Sequence, residues 1–341
     1  MKNRQDNGGN NVKKENLTSN KQPKGKLSIL TTALSVVAGL SVVALLAFIL
    51  VTGSRTNPSY FTIEDGILTS YEGDDRVVTI PEGVVVIGER AFMGHEEMEK
   101  VVMPQTLTTL RNGAFYGCSS LETIKFSRAL NFIGDAAFGE CDALTAFEIP
   151  ASVQFIHAET FYGSYGLTDV TVEEGNTEYI SRDGVVYSAD GKTLILYPAG
   201  LTAESFTVPA EVETIAAGAF VVNQSLQSVD LGNVLEVGDS AFYGCSALAS
   251  VTFSDELVLI YDDAFGACAA LTEVTIPASL QELSRGAFGS CPALTAVHLP
   301  AELMGIYEGA FEGSDNVTIY APAGAPAEAF AKEYEIPFIA E

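Results

Sequence analysis

Between residues 76 and 318 the chain repeats one arrangement of apolar and polar positions every 22 or 23 residues. Its most regular mark is an Ala-Phe dipeptide, once Thr-Phe, that sets phenylalanine at 92, 115, 138, 161, 220, 242, 265, 288 and 311. Around Phe265, apolar residues stand at Leu257 and Ile260 before the ring and at Cys268, Leu271, Val274 and Ile276 after it. The same frame holds at Leu110, Phe115, Cys118, Leu121, Ile124 and Phe126, and at Leu283, Phe288, Cys291, Leu294, Val297 and Leu299. Val-x-Ile with a polar residue between is the alternation of a strand. Ala-Phe-x-x-Cys-x-x-Leu spaces apolar groups by three, which predicts a short helical or 3₁₀ turn facing inward. Asn112, Asp135, Asp239 and Asp262 precede their phenylalanines by three, where a side-chain oxygen can cap that turn. Each coil reads as strand, bend, second short extended piece and turn.

A fixed period of this length is the mark of stacked supersecondary units. The expected fold is an α/β solenoid of about nine coils with a parallel sheet, roughly 43 Å long at ~4.8 Å per coil. The rhythm fails once, over residues 169–205, where Asp183-Gly184 between strand-like runs predicts a hairpin. Residues 53–75 read as an N-terminal cap and linker. Residues 319–341 read as a C-terminal cap, with a short helix over Pro326 to Tyr334. Both ends of a solenoid have to hide an open core.

The run from Ile276 to Val297, Ile-Pro-x-x-Leu-x-x-Leu-x-x-x-Ala-Phe-x-x-Cys-x-x-Leu-x-x-Val, resembles the BspA-type leucine-rich repeat family. Leu121-x-x-Ile124-x-Phe126 fits the general leucine-rich pattern, but no asparagine recurs after it. Ala129 and Ser279 stand where the ladder asparagine is usual. The resemblance implies a leucine-rich-repeat solenoid and a bacterial cell-surface protein that binds other proteins or glycans, with adhesion among its roles. It also implies that residues 169–205 are a hairpin insertion from one coil and that Phe61 to Tyr71 form the hairpin that begins such an array. A structural scaffold of the bacterial envelope is the alternative.

Charge divides the chain sharply. Residues 1–26 hold seven of its 18 basic residues against Asp6 and Glu15, and residues 27–52 carry no charge. A helix of that length spans about 39 Å, enough for a ~30 Å hydrocarbon layer. A single transmembrane signal-anchor helix is therefore expected at 27–52, with a disordered basic tail at 1–26 in the cytoplasm and the remainder outside the cell. Cleavage of the segment as a secretion signal, giving a secreted protein, is the alternative. After residue 52 there remain 11 basic and 42 of the 44 acidic residues, and none of the basic ones lies between Lys192 and Arg285. That surface excludes nucleic acid as a partner.

Five cysteines, at 118, 141, 245, 268 and 291, stand three residues after the repeat phenylalanine, and His95, Ser164, Asn223 and Ser314 fill the same place elsewhere. The pattern predicts buried unpaired thiols, with disulfides or metal ligation as alternatives. His95, His157 and His298 belong to three different coils, so no metal site or cofactor is expected. The sequence carries no nucleophile motif or phosphate loop, and a non-enzyme is expected, a hydrolase of surface polymers being the alternative reading. Asn223-Gln-Ser and Asn316-Val-Thr match the glycosylation pattern, a short match that arises easily by chance.

Specificity is expected on outward strand positions, which packing leaves free to vary. Ten residues after each phenylalanine these are Val102, Lys125, Glu148, Thr171, Asp230, Thr252, Thr275 and His298, with Thr79 leading the column. Tyr179, Tyr187 and Tyr197 of the insertion form a second candidate contact surface. The expected partner is an extracellular protein or glycan. The sequence leaves the oligomeric state open.

Overall fold

A flat aromatic ring placed once per coil has its neighbours in the next coils above and below. In the computed structural model, which describes residues 56–157 and 159–341, Phe265 lies between Phe242 and Phe288 at centroid distances of 5.0 and 5.4 Å. Rings are near parallel through Phe92, Phe115, Phe138 and Phe161, and again from Phe220 to Phe311. Tyr71 and Tyr197 supply the rungs before Phe92 and Phe220, at 5.2 and 4.7 Å. Aromatic pairs in this geometry add to the free energy of burial itself.

Each coil contributes two strands. The longer ones, from Val77–Thr79 through Thr123–Lys125 and Glu273–Thr275 to Phe338–Ala340, recur twelve times. They pair in parallel, so that Val102 faces Lys125, Asp230 faces Thr252 and Thr275 faces His298. The shorter ones, such as Leu259–Ile260, form a second parallel ladder along another side of the coil. The expectation of nine coils was therefore too low. It counted only coils marked by phenylalanine, and missed the rung closed by Tyr197, the strand Thr318–Ala321 and the terminal strand. The transmembrane helix expected at 27–52 lies outside the described residues, and among these no helix is long and apolar enough to cross a membrane.

The segment around each phenylalanine is a turn stacked on its neighbours, not the helical turn expected. Asp263 and Ala267, flanking Phe265 by two, take φ of 53° and 56°. Alternating handedness aims the amides of Asp263, Phe265 and Ala267 along the stack, where they donate to Arg285, Ala287 and Gly289 of the next coil at 2.8 to 2.9 Å. The proposed cap residues also act between coils. Asn112 Oδ1 accepts from the amide of Asp135, and Asp239 Oδ1 from that of Asp262, each at 3.2 Å. Hydrogen bonds to the next coil satisfy the backbone groups that an intra-turn cap would otherwise serve.

The position three after the ring has one chemical requirement. Cys118, Cys141, Cys245, Cys268 and Cys291 donate from Sγ to the carbonyl of the phenylalanine one coil back, at 3.0 to 3.3 Å. Ser164 and Ser314 do the same from Oγ, and His95 Nε2 stands 2.9 Å from the Tyr71 carbonyl. Asn223 reaches the carbonyls of Pro198, Ala199 and Leu201. Cysteine, serine, asparagine and histidine interchange there because each is a compact donor. All five thiols are free and buried. Where other leucine-rich repeats use asparagine, Ser279 Oγ donates to the Leu257 carbonyl at 2.7 Å, and Thr106 and Ser152 make the equivalent bond.

Each stretch of the short-strand ladder opens on an Asp-Gly hairpin. Asp65-Gly66 joins Phe61–Glu64 to Ile67–Tyr71, and Asp183-Gly184 joins Tyr179–Arg182 to Val185–Ser188. Both residues of each turn have positive φ, the conformation Asp-Gly favours. The second hairpin adds Thr193–Leu196, which rejoins the array beside Thr214–Ile215. The insertion is thus narrower than 169–205, since Asp169–Val172 and Ser205–Thr207 remain rungs. At the far end, helix Pro326–Glu333 buries Ala327, Phe330 and Ala331, and Phe330 meets Phe311 edge-on at 6.3 Å.

Candidate surface for recognition

Inside the coil nearly every position is committed to the ring stack, the aliphatic core or the donor ladder, so contact with a partner falls to the outward residues. The eight column residues named from the sequence lie on one face. Lys125, Glu148, Thr171, Asp230, Thr252 and Thr275 are exposed, and Val102 and His298 half-buried. The column is not one unbroken sheet. It is divided into groups of three, two, three and four strands.

The first division lies between Thr123–Lys125 and Ala146–Ile149. There Phe126 and Phe147 meet edge-to-face at 5.0 Å. A hollow of about 410 Å³ opens beside them, bordered by Lys125, Arg128, Glu148 and Glu173. Two column residues, Lys125 and Glu148, thus flank one concavity with both signs of charge. At the other end His298 stacks on Tyr320 at 4.8 Å and touches the carboxylates of Glu273 and Glu341 at 3.3 and 2.8 Å. It ties the terminal strand to the array.

The tyrosines of the insertion are placed differently from expectation. Tyr179, Tyr187 and Tyr197 are 8, 3 and 3 % exposed, so their rings offer no contact surface. Tyr197 is a rung of the stack. Tyr179 Oη accepts from the amide of Ile156 at 3.1 Å, closing the open edge of the strand Phe155–Ile156. The hydrophobic core divides into two clusters here, and the inserted strands contribute residues to both. Asn223 is fully buried with its amide engaged, which is incompatible with a glycan.

Sequence reading passed over the tyrosines of the phenylalanine turns, of which Tyr165 and Tyr243 are exposed and Tyr116 and Tyr162 half-buried. Tyr116, Tyr162 and Tyr243 each follow a repeat phenylalanine directly, and that position was available as a signal. Among the described residues no cluster of His, Cys, Asp or Glu is arranged to hold a metal ion.

The sequence pattern of the BspA type Leucine rich repeat region matches residues 74–184 and 199–318, in six copies. The chain belongs to this family. The interval between the matched segments falls on the inserted strands of this BspA-type chain. Among solved structures it is similar to the pneumococcal vaccine antigen PcpA, at 20% identity over 78% of this chain and 79% of that one, with a TM-score of 0.62. It is also similar to a leucine rich cell surface protein of Faecalibacterium prausnitzii, at 23% identity over 82% of this chain and 97% of that one, with a TM-score of 0.52. These likenesses establish the solenoid. No curated protein matches the sequence.

Proposed function

We propose that this chain is a cell-surface recognition protein whose long-strand face binds a protein or glycan partner, in the manner of an adhesin. The observation that carries this reading is the separation of roles within each coil. Inward positions accept a narrow set of side chains, whereas the outward column varies through Val, Lys, Glu, Thr, Asp and His. A parallel sheet decorated in this way offers many independently variable contacts over a long surface. The surface location is supported by the uncharged segment 27–52, proposed as the anchor of a bacterial membrane protein with its N-terminus in the cytoplasm, and by the description of the F. prausnitzii relative as a cell surface protein. We assign no reaction to the chain.

The purified segment 56–341 is to be tested for binding to matrix proteins, surface glycans and bacterial cells, with and without chelator. Saturable binding to one class supports the reading. Partners found only among the bacterium's own envelope components would favour the scaffold, and silence across the whole panel would reject recognition at this face.

A further inference from the structure

The turns that carry the ring stack form a face of their own, and a groove of about 480 Å³ crosses it. Three tyrosines, Tyr116, Tyr162 and Tyr165, and three carboxylates, Glu96, Glu140 and Asp142, line the groove, and no lysine or arginine does. The ring of Tyr116 lies against Gly139 of the next coil. A Cβ at Gly139 would stand 2.7 Å from its ring. Gly139 has no positive φ to require glycine, so the room for the ring is what the residue supplies. The arrangement recurs at Tyr243, whose ring would meet a Cβ at Gly266 at 2.9 Å. Tyr116 Oη donates to Glu140 Oε1, which holds the ring in place and leaves the other carboxylate oxygen free to accept. The amide of Tyr165 donates to Asp142 Oδ1 at 3.2 Å, and the Tyr165 side chain is half exposed.

Building on the recognition reading above, we infer that this groove binds an extended basic segment of a protein partner, seating lysine or arginine side chains against Tyr162 and Tyr165 and pairing them with Glu96, Glu140 and Asp142. The faces of tyrosine rings attract cations, and carboxylates at their edges complete the site. An anionic ligand is repelled by all three acids. A neutral sugar would gain contact with the rings while leaving the acids uncompensated. The excess of 42 acidic over 11 basic residues beyond residue 52 draws a basic segment toward the molecule from a distance. The chain's own basic excess, in residues 1–26, lies on the opposite side of the membrane if the proposed anchor holds, so the groove is left to a partner.

The test uses the full chain in nanodiscs of uncharged lipid and a fluorescent peptide of alternating arginine and serine. An alternating glutamate–serine peptide and a neutral oligosaccharide serve as comparisons. Replacing Tyr162→Ser together with Tyr165→Ser changes no charge and is expected to weaken the arginine peptide roughly tenfold. Tyr165→Lys, at a half-exposed position that folding tolerates, is expected to weaken it at least as much. Neutralising Glu204→Gln, Asp255→Asn and Glu302→Gln, exposed acids outside both the groove and the long-strand column, is expected to change it by less than about twofold. Equal binding by the double serine variant, equal weakening by neutralisation of the acids outside the groove, or a preference for the oligosaccharide would overturn the assignment. Failure of the groove alone, while strand-face substitutions still abolish capture of a natural partner, would leave the recognition reading standing.

Discussion

Cys268 Sγ lies 3.3 Å from the carbonyl oxygen of Phe242, one coil back, and donates to it from a fully buried site. A purely apolar pocket would accept Cys268→Val better than Cys268→Ser. The donor ladder reverses that order. Ser164 and Ser314 already make the same bond with a hydroxyl. Cys268→Ser should therefore cost less than about 1 kcal/mol, and Cys268→Val about 1–2 kcal/mol more, since loss of the donor adds to misfit. Denaturant midpoints of the two variants decide the order.

The thiols should be silent and pH-linked. Burial pushes Cys118 and Cys245 up to about 12 and Cys291 to about 11. An unfolded thiol ionises near pH ~8.5, so the unfolded state gains stability from deprotonation first. The contribution of these sites to stability is whole below that pH and falls as pH rises toward the folded values. Alkylating reagents at neutral pH should leave all five cysteines unmodified in the native protein and label them once it is unfolded. Urea titrations at pH 8 and pH 10 should show lower stability at the higher pH.

Phe265 is fully buried between two stacked neighbours, and Phe253 meets it edge-on at 5.5 Å. Phe265→Ala is expected to cost on the order of 3–5 kcal/mol, because the coils above and below cannot close over the lost ring. Calorimetry or denaturant unfolding of segment 56–341 checks this, and a loss under about 1 kcal/mol would show that the ring stack does not hold the coils together.

Removing the Tyr179 hydroxyl separates its two readings. As the acceptor of the Ile156 amide, Tyr179→Phe should destabilise the segment by about 1–2 kcal/mol. Because the ring is buried, binding to a partner should be unchanged once the protein is folded. A loss of binding with no change in stability would instead restore it to the contact surface.

Much of this architecture was legible because the inward positions answer to packing alone. Phe92 to Phe311 announced the stack, Asp183-Gly184 announced a hairpin, and Pro326 announced the last helix. What was not legible depended on relations between coils. Tyr71 and Tyr197 fill the place of phenylalanine, and a rule written on one residue type could not count them. The helical reading of Ala-Phe-x-x-Cys failed because a spacing of three fits both a helix and a turn of alternating handedness. Only the next coil's carbonyls select the latter. The common property of Cys, Ser, Asn and His at one position is donation, which becomes apparent when the carbonyl one coil back is in view. The insertion tyrosines read as surface from the sequence, whereas the insertion that carries them lies within the array and contributes to both core clusters.

The outward column also had a clear limit in the sequence. Its register was correct, and Lys125 and Glu148 do border a common hollow. The break in the sheet beside this hollow lies at Phe126 and Phe147, two residues on neighbouring coils whose rings meet only after stacking.

The central claim is that the long-strand face is the recognition surface, and one comparison tests it most directly. Once a partner is found for segment 56–341, its affinity is to be measured for Lys125→Glu, Thr171→Arg, Asp230→Arg and Thr252→Arg, each verified to melt like the parent. The account predicts that at least two of these exposed substitutions weaken binding by roughly tenfold or more, as contacts at the centre of an interface do. Four stable variants that all bind like the parent would contradict it.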